Sequence, residues 1–166
     1  MQIKQAKEEF VQAWGKLGSE WGINRTMAQI HALLLVADKP LSTEEIMDQL
    51  NISRGNANMN IRDLLKWNLV YKDLVAGDRK EYFKAEKDIW EIAKRIARER
   101  KKREIEPVIR ELKNLQQVYG SSQEVKQFVA TMKNIHSFAV KMDKSVESMM
   151  RAEESWFFGA IIKLMK

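Results

Sequence analysis

Residues 41–84 leave this chain few choices, because helix caps, a break and hairpin signals follow one another at fixed distances. Ser42 followed by Glu45 is a capping-box pattern, in which each side chain satisfies a backbone amide left unpaired by the first helical turn. A helix is expected there, with Ile46, Met47 and Leu50 as its apolar stripe. Asn51-Ile52-Ser53 interrupts it, and Ser53 suits the cap of a second helix running to about Trp67. Two short helices joined by so few residues make a helix-turn-helix. Asn68 tolerates left-handed backbone and fits the position just past the helix end. Residues 69–73 then read as a strand, Ala76-Gly77-Asp78 as a turn, and residues 80–84 as the return strand. The whole stretch predicts a winged helix-turn-helix.

The second helix has two usable faces. Ala57, Ile61, Leu64 and Leu65 recur at core spacing. At about 100° per residue, Gly55, Met59, Arg62 and Lys66 fall on the opposite side. Arg54, Asn56 and Asn58 flank that side near the N-terminal end, where helix-turn-helix proteins usually meet base edges. Arg can pair bidentately with guanine and Asn with adenine, and an exposed Met59 suits a thymine methyl. Gly55 permits close approach to phosphate. Arg79 and Lys80 sit at the hairpin tip, in reach of phosphate or an A·T-rich minor groove. The expected DNA-binding set is therefore Ser53, Arg54, Gly55, Asn56, Asn58, Met59, Arg62, Lys66, Arg79 and Lys80, with double-stranded DNA as partner. A winged-helix protein-interaction module in a larger assembly, without specific DNA binding, is the alternative. The basic side chains of Arg54, Arg62, Lys66 and Arg79 weigh against it.

The run from Ser53 to Arg62, Ser53-Arg54-Gly55-Asn56-Ala57-Asn58-Met59-Asn60-Ile61-Arg62, closely resembles the recognition helix of the GbsR-like branch of the MarR family of regulators. Residues 67–70, 77–86 and 88–92 continue the resemblance, with Asn68 where the family usually has Gly. The resemblance covers roughly residues 22–97. It implies a homodimeric transcription regulator on a pseudo-palindromic operator, contacting DNA through the recognition helix and Arg79. It also implies that Asp78 holds Arg79 for minor-groove insertion. Some members of that branch sense choline or glycine betaine, so a small-molecule effector is left open, with no binding residues assigned.

The flanks read as helices. Residues 1–20 carry an apolar stripe of Ile3, Ala6, Phe10, Ala13, Trp14 and Leu17, and are expected to serve as a dimerisation arm. Asn24 suits the cap of a helix ending near Ala37, with Met27, Ile30, His31, Leu34 and Leu35 as core. A short extended segment at Leu41 is expected to pair with the wing. Beyond the wing, Ile89, Ile92, Ala93 and Ile96 form a stripe, followed by a charged run at 98–104. That run reads as a solvated stretch of helix, with contact to DNA backbone as the sharper alternative. Pro107 should kink or restart the helix. Val108, Ile109, Leu112, Leu115 and Tyr119 resume an apolar face before a break at Gly120. Val125, Phe128, Met132, Ile135, Ala139, Met142, Val146 and Met149 then alternate steps of three and four, a coiled-coil seam. Whether it pairs within one chain or between two is open. Residues 155–162 read as a short helix docked near residues 1–20, ahead of a membrane-surface anchor.

The expected class is mainly α with a small β-wing. Residues 1–20 form the arm, 21–88 the DNA-binding domain and 89–166 a C-terminal helical dimerisation region. The chain has no cysteine, which excludes disulfides and thiolate chemistry within it. His31 and His136 belong to no metal cluster or nucleophile arrangement, so neither an enzyme nor a cofactor is expected. The first 90 residues carry thirteen basic and thirteen acidic side chains, so the net charge of +6 arises after the wing. Residues 1–10 are charged and amphipathic, unlike a signal peptide, and no apolar run nears spanning length. A cytoplasmic protein without a membrane partner is expected.

Overall fold

The computed structural model describes residues 1–75 and 77–151. The expectations for Ala76 and for residues 155–162 lie outside the described residues. The chain divides into two compact units, residues 1–95 and 96–166.

In the first unit the order is α1 (Ile3–Glu20), α2 (Arg25–Val36), β1 (Leu41–Ser42), α3 (Thr43–Leu50), α4 (Arg54–Lys66), β2 (Val70–Asp73) and β3 (Tyr82–Ala85). α2 is the centre of the core. Asn24 Oδ1 accepts the Met27 amide at 3.1 Å and starts the helix as expected. Met27, Ala28, Ile30, His31, Ala32, Leu33 and Leu34 are all buried, so the buried surface is wider than the expected stripe, while Leu35 is only half-buried. The reason is that α1, α3, α4 and β3 all pack against this one helix.

α1 turns only part of the expected stripe towards its own domain. Val11, Gly15 and Gly18 are buried, Phe10 and Trp14 are half-buried, and Ile3, Ala13 and Leu17 are exposed. A Cβ on Gly15 would stand 2.5 Å from Gln29 Cγ, and one on Gly18 2.6 Å from Ala28 Cβ. Two glycines on one face let the α1 backbone approach α2 closely. The absence of side chains, more than hydropathy, decides which face turns inward.

The helix-turn-helix forms as the caps predict. The Ser42 hydroxyl accepts the Glu45 amide at 3.2 Å, and the Glu45 carboxylate accepts the Ser42 amide at 2.7 Å. Asn51 and Asn68 end the two helices in left-handed conformation, at φ 51° and 56°. The sheet order is β1-β3-β2, antiparallel throughout, with Leu41 opposite Phe83 and Val70 opposite Ala85. β1 thus pairs with the wing as expected. Phe83 and Ala85 point inward and Lys84 outward. β3 begins at Tyr82 rather than Lys80, because Asp78 prolongs the turn.

α5 (Ile89–Arg100) follows, and the second unit continues with a π-helical turn at Lys101–Ile105, then α6 (Glu106–Asn114) and α7 (Gln123–Arg151). The charged run closes α5 and then passes into a π turn, so it is helical but not an unbroken α-helix. Glu106 donates its amide to Lys101 O, one residue further back than in an α-helix, directly before Pro107, which cannot donate. Arg100 pairs with Glu104 at 3.1 Å and Arg103 with Glu99 at 3.6 Å, so much of the run is solvated and self-paired. Lys101 is the exception. Only 17% of its side chain is exposed, and it lies between Glu106 (3.5 Å) and Asp143 (3.3 Å).

The seam on α7 is divided. Val125, Met132, Ala139 and Val146 are half-buried, together with Val129 and His136, while α6 and α7 pack on each other. Phe128, Ile135 and Met142 of the same seam are exposed, as is Phe138. Among the described residues no helix is long and apolar enough to cross a membrane.

Candidate nucleic-acid interface

The inner face of α4 is fixed by Ala57, Asn60, Ile61 and Leu64, all buried, with Leu65 half-buried. Ser53 caps the helix by accepting the Asn56 amide at 3.3 Å. This leaves Ser53, Arg54, Gly55, Asn58, Met59, Arg62 and Lys66 exposed on one unit, with Asn56 half-buried at the edge. Met59 is 53% exposed, an unfavourable place for a thioether unless something apolar meets it. No Cβ at Gly55 would touch another atom within 4 Å, so the helix start is open on that side.

Asn60 was not among the residues expected to matter. It is buried, and its Nδ2 donates to the Asn56 carbonyl (2.8 Å) and to Asn56 Oδ1 (2.7 Å). A polar residue at a core angle was the available signal. The contact changes the reading of Asn56. Its side-chain carbonyl accepts from Asn60, whereas Asn58 has no side-chain partner among the described residues.

The cations of this face are not equivalent. Arg54 donates from Nη2 to Glu44 Oε1 at 2.9 Å, and Lys66 pairs with Asp63 at 3.0 Å. The side chains of Arg62 and Arg79 have no partner among the described residues. At the wing tip, Asp78 Oδ1 accepts the Lys80 amide at 3.0 Å and Oδ2 accepts the Tyr82 hydroxyl at 2.7 Å. The Lys80 amide first, then the Tyr82 hydroxyl, hold the Asp78 carboxyl below the usual carboxylate range. Asp78 therefore shapes the turn, with Gly77 at φ 84°, and does not grip the Arg79 guanidinium. Lys72 pairs with Glu81, and Lys84 with Asp73 at 3.2 Å, so the strand cations are occupied and Arg79 and Lys80 remain at the tip.

The wing base is fastened by two cations that the sequence reading passed over. Lys87 Nζ donates to the carbonyls of Leu34 (3.0 Å), Leu35 and Ala37 (3.3 Å), completing the open C-terminal end of α2. Arg95 donates to the Asn68 carbonyl and the Tyr71 hydroxyl, and pairs with Glu86 at 3.2 Å. Tyr71 in turn donates to Glu86 at 2.7 Å, the first cause of a lowered Glu86 carboxyl. The carbonyls and the hydroxyl they hold lie tens of residues away in sequence, so no local pattern marks those contacts.

His31 lies in the core beside Trp14, with ring centroids 6.3 Å apart. Burial, with the charge of Lys87 added, lowers its pKa to about 4. An open cleft of about 500 Å³ runs between α1, the end of α2 and α3, over Val11, Leu33, Leu41 and Leu50. None of its lining residues lies on α4 or at the wing tip. Among the described residues no group of His, Cys, Asp and Glu could hold a metal ion.

Residues 21–81 match the MarR family. The match spans α2, the helix-turn-helix and β2, and ends just before β3. A solved structure described as a transcriptional regulator is 21% identical, covering 87% of this chain and 95% of its own, with a TM-score of 0.66. The two chains share a fold. MepR, a transcription regulator of the Staphylococcus aureus multidrug efflux pump MepA, is 13% identical over 98% of this chain and 92% of its own, with a TM-score of 0.39. The adhesin competence repressor AdcR from Streptococcus pyogenes is 22% identical over 86% and 99%, with a TM-score of 0.37. No curated protein matches the chain.

Proposed function

We propose that this chain is a sequence-specific, DNA-binding transcription regulator that acts as a homodimer on a pseudo-palindromic operator. The observation that carries the reading is the outer face of α4. There Met59 is half-exposed, and Arg62, three residues on, has no partner among the described residues. Such a face pairs an apolar contact for a thymine methyl with donors for base edges or phosphate. Arg79 and Lys80 extend it at the wing, where minor-groove potential is most negative. The contact set is Ser53, Arg54, Gly55, Asn58, Met59, Arg62, Lys66, Arg79 and Lys80, with Asn56 at its edge.

One chain supplies one recognition helix. Two copies related by a twofold axis would set two such helices in major grooves about one helical turn apart. Phe128, Ile135, Phe138 and Met142, exposed along α7, are the residues we assign to that pairing. The resemblance of residues 53–62 to the GbsR-like branch supports a regulator of that kind, working in the cytoplasm. A small-molecule effector would act by favouring one separation of the recognition helices, which requires unequal affinity for the two states.

The test is selection of duplexes from a random-sequence pool, followed by titration of the selected duplex and a scrambled one at several salt concentrations. We expect tighter binding to the selected duplex and a steep salt dependence for both. Weak, equal binding would overturn the reading in favour of a protein-interaction module.

A further inference from the structure

We infer that Glu44 is a positioning residue for base reading, holding the Arg54 guanidinium in place at the start of the recognition helix before DNA arrives. The inference rests on the DNA-binding reading above. Arg54 is the first residue of α4, at the end that enters the major groove in helix-turn-helix proteins. Its Nη2 donates to Glu44 Oε1 at 2.9 Å. Glu44 stands in the first turn of α3, between the capping-box residues Ser42 and Glu45, so the anchor is a well-fastened helix end rather than a loop.

The pair is open to solvent, with side chains 61% and 40% exposed. Exposed ion pairs add little to folding stability, so its consequence is chiefly geometric. The guanidinium has five donors in a planar fork. With Nη2 committed to Glu44, further N–H groups remain for the guanine edge, and the side chain has fewer rotamers to lose on binding. The Glu44 carboxyl is lowered first by its own backbone amide, then by Arg54, and Lys80 of the wing tip adds its charge. Glu44 thus lies where both DNA-facing elements are felt.

A carboxylate on that face also repels phosphate. The two effects have opposite signs. Against arbitrary DNA, repulsion weakens binding. On the preferred sequence, placement of Arg54 strengthens it. Glu44 therefore widens the gap between preferred and arbitrary DNA, which neither a simple brake nor a simple fold contact would do.

The experiment compares the full chain with Glu44→Gln, Arg54→Ala and the double variant. The probes are a duplex selected by the wild type from a random pool and a scrambled duplex of equal length. Thermal melting verifies that each variant is folded. Glu44→Gln is expected to weaken the selected duplex roughly tenfold, while binding to the scrambled duplex holds or tightens. In the Arg54→Ala background the same substitution should cost nothing further. Unchanged or tighter binding of Glu44→Gln to the selected duplex would overturn the inference, and so would a loss that persists without Arg54. A wild type that selects no sequence from the pool would instead defeat the DNA-binding reading itself.

Discussion

α2 has 12 residues and buries seven of them, whereas α7 has 29 and buries none fully among its described side chains. The difference lies in what surrounds each helix. α2 is enclosed by α1, α3, α4 and β3, so almost every direction around it is core. α7 meets α6 along one side and leaves Phe128, Ile135 and Met142 in solvent. A helix that is apolar all round completes a core. A helix with an apolar band wider than its neighbour covers is built for another surface. The first unit surrounds its central helix, while the second leaves the apolar residues to which we assign the proposed pairing in solvent.

Substitutions that break this contrast should differ in kind as well as in size. Ile30→Ala removes a side chain with no exposure, and is expected to cost about 2–5 kcal/mol of stability in urea denaturation. A loss below about 1 kcal/mol would mean that α2 is less central than its burial implies. Acid should act on the same helix. His31 has a pKa of about 4 in the folded chain against 6.5 in its absence, so the unfolded state takes up the proton first. Its contribution is complete above pH 6.5 and is lost as pH falls towards 4, on the order of 3 kcal/mol in all. His31→Leu should flatten that slope, and an unchanged slope in denaturation from pH 7 to 4.5 would assign it elsewhere.

For α7 the expected effect is on association. Ile135→Asp places a charge among the exposed apolar residues and should weaken self-association roughly thirtyfold in sedimentation, with little change in helix content. Unaltered association would shift the pairing surface off this face. Effects on binding alone, with none on folding, are expected at the proposed contact residues, which neither helix core contains. Arg62→Ala and Arg79→Ala should each weaken binding to a selected duplex by about 1–3 kcal/mol while leaving melting unchanged. If both bind as the wild type does, the contacts are wrongly placed.

The legible parts of this molecule were those with local causes. Asn24, Ser42 and Ser53 each accept an amide three residues on, and that spacing can be read from the letters alone. Asn51 and Asn68 turn left-handed where a helix must end. The alternation of the wing strands and the exposed side of α4 followed from helical and strand periods. The inward face of α1 did not, because a hydropathy stripe records what a side chain prefers and not how near two backbones can come. Asn56, Asp78 and Arg54 were legible as polar residues near the proposed DNA-facing surface. Their actual partners, Asn60, the Lys80 amide and Glu44, set which atoms remain available, and partners depend on how the elements meet.

The sequence by itself therefore determined where the elements start and stop, the winged helix-turn-helix order and the residue types offered on the outer face of α4. Those features are governed by interactions within a few residues, and their free energies act before any packing. Only the tertiary structure decided that glycines choose the α1 face, that Lys87 and Arg95 fasten the wing base, and that the α7 seam is half used. These depend on close approach, burial and charge between separate elements of the chain. Many sequences satisfy the same local rules, so such contacts become definite only when the chain has closed on itself.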